Sequence, residues 1–251
     1  MISRREQFKN AKDYILYYGI GKEEELSKHD IAIVEPLGQT KETLDLMHKQ
    51  GTLVIAYVSA IEISKHFPMF NLLKQEDFIH VNDNPLKNEE FETYLLNIGS
   101  KRWSSMLIQH IGNLIVNENY DGIFLDTLGD IEWSVLPEGL RNDMLLSARK
   151  LLNTIRGLFE DIIIIQNNGM HQVLNYTFEF IDGLCLENPK LELSDTSDWV
   201  QASIDKLKAL RKDYAIKVLL LYEENYFNES YISAVKDDVL FYKTKSYTSI
   251  E

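Results

Sequence analysis

The stretch YDGIFLDTLGD, residues 120–130, contains an acid, a glycine, three apolar residues and a second acid in a row: Asp121-Gly122-Ile123-Phe124-Leu125-Asp126. Sixty-one residues later the chain nearly repeats it as Asp182-Gly183-Leu184-Cys185-Leu186-Glu187. A short apolar run with punctuation at both ends is what a strand buried on both faces presents. Two such strands that each end on a carboxylate raise the question of what those ends face.

Runs of the same kind recur along the whole chain, at residues 14–19, 31–36, 52–59, 122–127, 162–168, 183–188, 217–224 and 239–244. Amphipathic segments lie between them. TKETLDLMHKQG, residues 40–51, carries Leu44 and Met47 on one face, and DWVQASIDKLKALRKDY, residues 198–214, spaces Val200, Ile204, Leu207 and Leu210 for another. Eight strand-then-helix units predict an α/β fold, a (β/α)8 TIM barrel rather than an open doubly wound sheet. A chain of 251 residues is the usual size of one such barrel, so a single domain over residues 1–251 is expected.

Apolar residues make up 45% of the chain, enough for a large core without disulfides. The one cysteine, Cys185, sits inside an apolar run and reads as a buried thiol. A net charge of −13 argues against a nucleic-acid partner, whose phosphates need a basic surface. No run is long enough for a membrane span, and the amino terminus lacks the apolar stretch of a signal peptide. The chain as written is expected to be cytoplasmic, or extracellular with its signal trimmed, and a monomer is expected.

In a parallel barrel the site is built where the strands end, so a polar residue closing a strand is a site candidate. That reading selects Tyr17, Glu35, Tyr57, Ser59, Asp126, Gln166, Asn167, Glu187, Tyr222 and Glu223. Asp126 and Glu187 stand out because the duplicated pattern delivers both to the same mouth. Asp121 and Asp182 open their strands at the opposite face, where Asp-Gly is expected to supply a tight helix-to-strand turn. Residues 60–121 exceed what one connecting helix needs, and excess length on the strand-to-helix side is where substrate walls are built. Trp103 there, and Trp133 after the fourth strand, could stack on a sugar ring, although burial is the commoner role of such an aromatic.

Two acids across a barrel mouth are the equipment of glycosidic cleavage, one protonating the leaving oxygen and the other attacking or stabilising the anomeric carbon. Asp126, close to the QNN amides of the next strand, is expected to be the ionised nucleophile. Glu187, longer and flanked by Leu186 and Cys185, is expected to be the acid/base. The separation of two acids on alternate strands permits a retaining outcome without requiring it.

The segments YYG (17–19), VEP (34–36), AYVSAIE (56–62), NIGSKRW (97–103), DGIFLDTLGD (121–130), IIIIQNNG (162–169) and DGLCLEN (182–188), in this order, resemble glycoside hydrolase family 114, the endo-α-1,4-polygalactosaminidase-like barrels. The Asp126 segment is the specific one. The resemblance implies an eight-stranded barrel, an α-glycosidase acting on galactosamine-containing polysaccharide, no cofactor, and functional acids at Asp126 and Glu187. Tyr17, Glu35, Tyr57, Ser59, Trp103, Asp130, Asn167, Tyr222 and Glu223 are the expected substrate-binding residues.

Two rival readings use the same acids. Asp126, Asn167 and Glu187 could hold Mg2+ or Mn2+ for a lyase or epimerase, although the only basic residue at a strand end is Lys243. The histidines lack ligand spacing, and only His171 falls near the mouth, so no metal is expected. The other rival is a carbohydrate-binding barrel that has lost turnover.

Overall fold

The computed structural model describes residues 2–189, 214–224 and 239–250, with 205, 208, 209 and 212 between them. Eight parallel strands follow one another around a single sheet: β1 (Ile15–Tyr17), β2 (Ile31–Val34), β3 (Leu53–Ser59), β4 (Gly122–Asp126), β5 (Ile163–Asn167), β6 (Gly183–Glu187), β7 (Lys217–Glu223) and β8 (Leu240–Thr244). Each pairs in parallel with the one before it, so the chain never reverses its winding. All eight expected strands are present, each trimmed by one to three residues. Side chains span the seam between β8 and β1. The Tyr14 hydroxyl donates to the Leu220 carbonyl at 2.7 Å, and its ring meets that of Tyr242 at 5.8 Å. The protein is a (β/α)8 barrel.

Strand period two divides the core. Alternate residues, among them Leu16, Ile33, Ile55, Phe124, Ile165, Cys185 and Leu221, fill the barrel interior. Their neighbours, such as Ile123, Leu125, Ile164 and Leu184, face outward to the helices. Helix α1 (Arg4–Asn10) crosses the lower end and buries Phe8 in the interior cluster. Helix α2 (Glu23–Leu26) follows β1, and α3 (Lys41–Lys49) buries Leu44 and Met47 under a Thr40 cap, as the sequence predicts. Helix α4 (Lys101–Val116) buries Trp103, Leu107, Ile111 and Leu114, and α5 (Glu138–Leu158) buries Leu145, Ala148, Leu152 and Ile155, each at the spacing of one helical face. The segment carrying Val200, Ile204, Leu207 and Leu210 lies outside the described residues.

The lower-face aspartates do more than turn the chain. Asp121 accepts from the Val54 amide, His48 Nε2 and Arg4 Nε, all at 2.9 Å. Asp182 accepts from the Ile164 amide at 3.0 Å, Arg156 at 2.7 Å and Arg5 Nε at 2.6 Å. Each aspartate thus ties its own strand to the preceding one and to α1. The expected tight turn is corrected, because Gly122 and Gly183 are ordinary strand residues without positive φ. They are glycines because of close approach: a Cβ would sit 2.2 Å from the Ile163 carbonyl oxygen at Gly122 and 2.9 Å from the Phe8 ring at Gly183.

Between β3 and α4 the chain makes an excursion with two small antiparallel sheets, one of Glu62–Ser64, Thr93–Leu95 and Lys87–Asn88, the other of His80–Val81 and Asn84–Pro85. A groove of about 420 Å³ runs along it, lined by Phe70, Leu73, Phe78, Pro85 and Tyr94 and by none of the strand-end acids. Among the described residues no helix is long and apolar enough to cross a membrane.

Candidate active site

Continuing the inward phase of each strand upward brings one more layer to the mouth: Glu35, Tyr57, Asp126, Asn167, Glu187 and Glu223. Four of these, Tyr57, Asp126, Asn167 and Glu187, stand on consecutive strands and touch. The Asn167 amide nitrogen donates to Asp126 Oδ1 at 2.7 Å and to Glu187 Oε2 at 2.9 Å. The other Asp126 oxygen accepts from the Tyr57 hydroxyl at 2.8 Å, and the other Glu187 oxygen accepts from the Tyr247 hydroxyl at 2.8 Å. The two acids are thus joined by one neutral donor and flanked by two phenols. Among the described residues no Lys, Arg or His pairs with either acid.

The residue after each central side chain explains how it is held. Thr127, Asn168 and Asn188 all have left-handed backbones, with φ of 63°, 55° and 43°. Such a φ is uncommon outside glycine and is strained for a β-branched threonine. It turns the chain sharply off the strand, and the side chains compensate. Thr127 Oγ1 accepts from the Ala60 and Ile61 amides, Asn168 Oδ1 from the Glu187 amide, and Asn188 Oδ1 from the Glu223 amide. Each strand end is thereby fastened to a neighbouring one, which fixes the separation of the acids that the strands carry.

Burial pushes the Glu187 carboxyl above its ordinary range, with the Asp126 and Glu223 charges adding to the shift while the Asn167 and Tyr247 bonds oppose it. Burial also raises Glu35, which caps its own turn by accepting from the Leu37 amide. Asp130 is pushed up to about 9, first by burial and then by the neighbouring Glu62 carboxylate, to which it hydrogen-bonds. Glu62, held by Asn88 and Thr93 of the excursion, was not anticipated at all.

Several expected site residues lie elsewhere. Tyr17 and Tyr222 are out of phase with the inward layer and are buried in the outer core, their hydroxyls donating to the Ile20 and Pro189 carbonyls. Gln166 likewise points out and hydrogen-bonds Thr177. Trp103 is 2% exposed and its indole N–H donates to the Ala60 carbonyl at 2.8 Å, so it braces the exit of β3 and offers no face to a sugar. Ser59 is engaged with the Glu62 carbonyl and the Thr127 hydroxyl. Among the described residues, the aromatics that border the acids are Tyr57, Tyr18, whose ring meets Tyr57 edge-on at 4.8 Å, and Tyr247. Strand phase alone would have found Tyr18 and excluded Tyr17. Tyr247, third after β8, carries no such signal.

Glycoside-hydrolase family GH114 matches residues 5–215. Among solved structures, the glycoside hydrolase domain of PelA from Pseudomonas aeruginosa superposes with a TM-score of 0.76 at 15% identity, over 96% of this chain and 98% of that one. Ega3 from Aspergillus fumigatus, in complex with galactosamine, does so with a TM-score of 0.71 at 14% identity, over 96% and 94%. A maltogenic α-amylase from Thermotoga neapolitana shares the fold more distantly, with a TM-score of 0.63 at 11% identity over 95% and 68%. No curated protein sequence matches the chain. At these identities the structural likenesses speak to the barrel alone, whereas the family match covers most of the chain and includes both strand-end acids. The chain belongs to glycoside-hydrolase family GH114.

Proposed function

We propose that the protein hydrolyses α-1,4-linked galactosamine-containing polysaccharide with retention of configuration, Asp126 acting as nucleophile and Glu187 as acid and then base. The observation that carries this reading is the Asn167 bridge. One nitrogen within 2.7 Å of one acid and 2.9 Å of the other holds their two facing oxygens no more than about 5.6 Å apart, in keeping with the close carboxyl pairs, roughly 5–5.5 Å, of retaining enzymes.

In the first step Asp126 attacks the anomeric carbon while Glu187 gives its proton to the departing glycosidic oxygen. Carbon–oxygen bonds form to Asp126 and break to the leaving sugar. In the second step the Glu187 carboxylate takes a proton from water as the water oxygen attacks the same carbon, and Asp126 departs. The roles follow from the surroundings. Both Asp126 oxygens accept from neutral donors, which position an attacking carboxylate, whereas the burial that raises Glu187 keeps a proton available for the leaving oxygen.

Glu35, Asp126, Glu187 and Glu223 make the mouth acidic, and among the described residues no Lys, Arg or His pairs with Asp126 or Glu187, which suits a polymer of free ammonium groups better than a uronate. Ega3 was solved with galactosamine, which is consistent with that substrate class. The metal-dependent reading asks Asn167 to point its oxygen into the gap between the acids. Its N–H groups point there instead, so the arrangement favours the glycosidase.

The test is proton NMR of the first product formed from α-1,4-galactosamine oligomers, alongside an N-acetylated and a uronate polymer. The α anomer should appear first, and the ammonium-bearing substrate should be cleaved fastest. First appearance of the β anomer removes Asp126 from the nucleophile role, and faster uronate cleavage overturns the substrate class.

A further inference from the structure

The segment after β8 returns across the mouth. The Tyr18 amide donates to the Tyr247 carbonyl at 2.6 Å, and the two rings meet at 5.8 Å, so the end of the chain is fastened to the start of the barrel beside the open seam. From that anchor the Tyr247 hydroxyl reaches inward, to 2.8 Å from Glu187 Oε1 and 3.3 Å from Glu223 Oε1. The family match ends at residue 215, so nothing in it speaks to this contact.

We propose that Tyr247 is a positioning residue for the acid/base. Its hydroxyl holds Glu187 against the Asn167 bridge and sets how readily that carboxyl gives up its proton. The inference rests on the reading of Glu187 as acid/base. A phenol has one proton to donate, and two carboxylates compete for it. The shorter contact is to Glu187, and Glu223 is separately held by Asn188 through the side-chain amide at 3.1 Å. Glu187 is therefore gripped on both oxygens, by Asn167 on one and Tyr247 on the other. A carboxylate so gripped cannot rotate away between its two tasks, and its proton affinity depends on whether each donor is present.

Among the described residues, the groups that face or act on Glu187 are Asp126 from β4, Asn167 from β5, Glu223 from β7, Cys185 from its own strand, Tyr18 from the end of β1, Asp130 from the loop after β4, and Tyr247. Asp126 and Glu223 oppose ionisation of Glu187, whereas Asn167 and Tyr247 favour it. Two substitutions should therefore move Glu187 in opposite directions. Tyr247→Phe keeps the ring and the backbone anchor but removes a donor to the carboxylate, which raises the proton affinity of Glu187. Glu223→Gln removes a neighbouring negative charge and a rival for the hydroxyl, which lowers it.

The experiment reads Glu187 directly, by a 13C NMR titration of Glu side-chain carboxyl carbons in the full chain, with the Glu187 resonance assigned by its loss in Glu187→Gln. The Glu187 midpoint should move to higher pH in Tyr247→Phe and to lower pH in Glu223→Gln. Coincidence of the Tyr247→Phe midpoint with the parent overturns the proposal, and so does its movement to lower pH. If Tyr247→Phe does not fold, 3-fluorotyrosine placed at position 247, a stronger donor of nearly the same shape, should move the Glu187 midpoint to lower pH, and an unmoved midpoint overturns the proposal. With a galactosamine oligomer as substrate, kcat of Tyr247→Phe should fall roughly tenfold at nearly constant KM, and the basic limb of its pH profile should move up. A parent with no turnover on that oligomer would count against the proposed activity while leaving the titration to decide the role of Tyr247.

Discussion

Strands β4 and β6 are each preceded by one acid and end on another, and the two ends are treated in opposite ways. At the lower end Asp121 meets Arg4, His48 and a backbone amide, and Asp182 meets Arg5, Arg156 and a backbone amide. At the upper end, among the described residues, Asp126 and Glu187 meet only an amide, two phenols and, nearby, further acids. Lower charges are cancelled within the fold. Upper charges are held in place without being cancelled, so the site keeps its negative potential for a positive charge that arrives with the substrate or develops on it. A transition state of oxocarbenium character supplies such a charge.

The largest effect should come from breaking the upper pair. Asp126→Asn and Glu187→Gln should each lower turnover at least about a hundredfold, because each removes a covalent or proton-transfer group. Far-ultraviolet circular dichroism and unfolding midpoints should stay near those of the parent. Near-parental turnover in either folded variant would mean that the duplicated pattern marks something other than the catalytic pair.

The lower pair should respond in the other quantity. Asp182→Asn leaves Arg156, itself mostly buried, facing a neutral amide, and loss of one member of a buried ion pair costs about 3 kcal/mol or more. Urea unfolding should show that loss, while kcat of the folded fraction is retained. A fall in kcat without a fall in stability would erase the distinction between the two ends.

What the sequence made legible follows from how local each signal is. The eight strands and the acids ending β4 and β6 are carried by runs of six to eight residues, and all are legible in the sequence. Tyr17 and Tyr222 close their runs in the sequence but lie out of phase with the inward layer. Counting by twos from Leu16 leads to Tyr18, and from Leu221 to Glu223. The true role of Asp121 and Asp182 could not be read, because their partners Arg4 and Arg5 lie 117 and 177 residues away and no short-range pattern links them. Trp103 looked like a platform because an aromatic at the start of a helix has the same sequence signature whether it faces solvent or a buried carbonyl. Tyr247 belongs to an irregular segment and Glu62 to a three-residue strand too short to show a period, and they reach the site only through the closure of the barrel and the folding of the excursion.

The smallest expected effect concerns an acid that belongs to neither end. Asp130 sits beside the mouth, hydrogen-bonded to Glu62, with its carboxyl pushed up to about 9 by burial and by that neighbour. In the unfolded chain an aspartate titrates near 4. The folded state therefore binds this proton more tightly than the unfolded state does. A group raised in this way gives its full stabilisation below about pH 4, and the contribution is lost as pH rises towards about 9. Asp130→Asn keeps an N–H donor for Glu62 and has no proton to lose, so it should not show that loss. Urea midpoints of parent and variant measured at pH 4 and pH 8 should then diverge with rising pH, with the variant gaining relative to the parent at pH 8. An unchanged difference between the two pH values would show that Asp130 is already ionised in the folded protein. The mouth would then carry one more uncancelled charge, and the contrast between the two ends of the barrel would be sharper still.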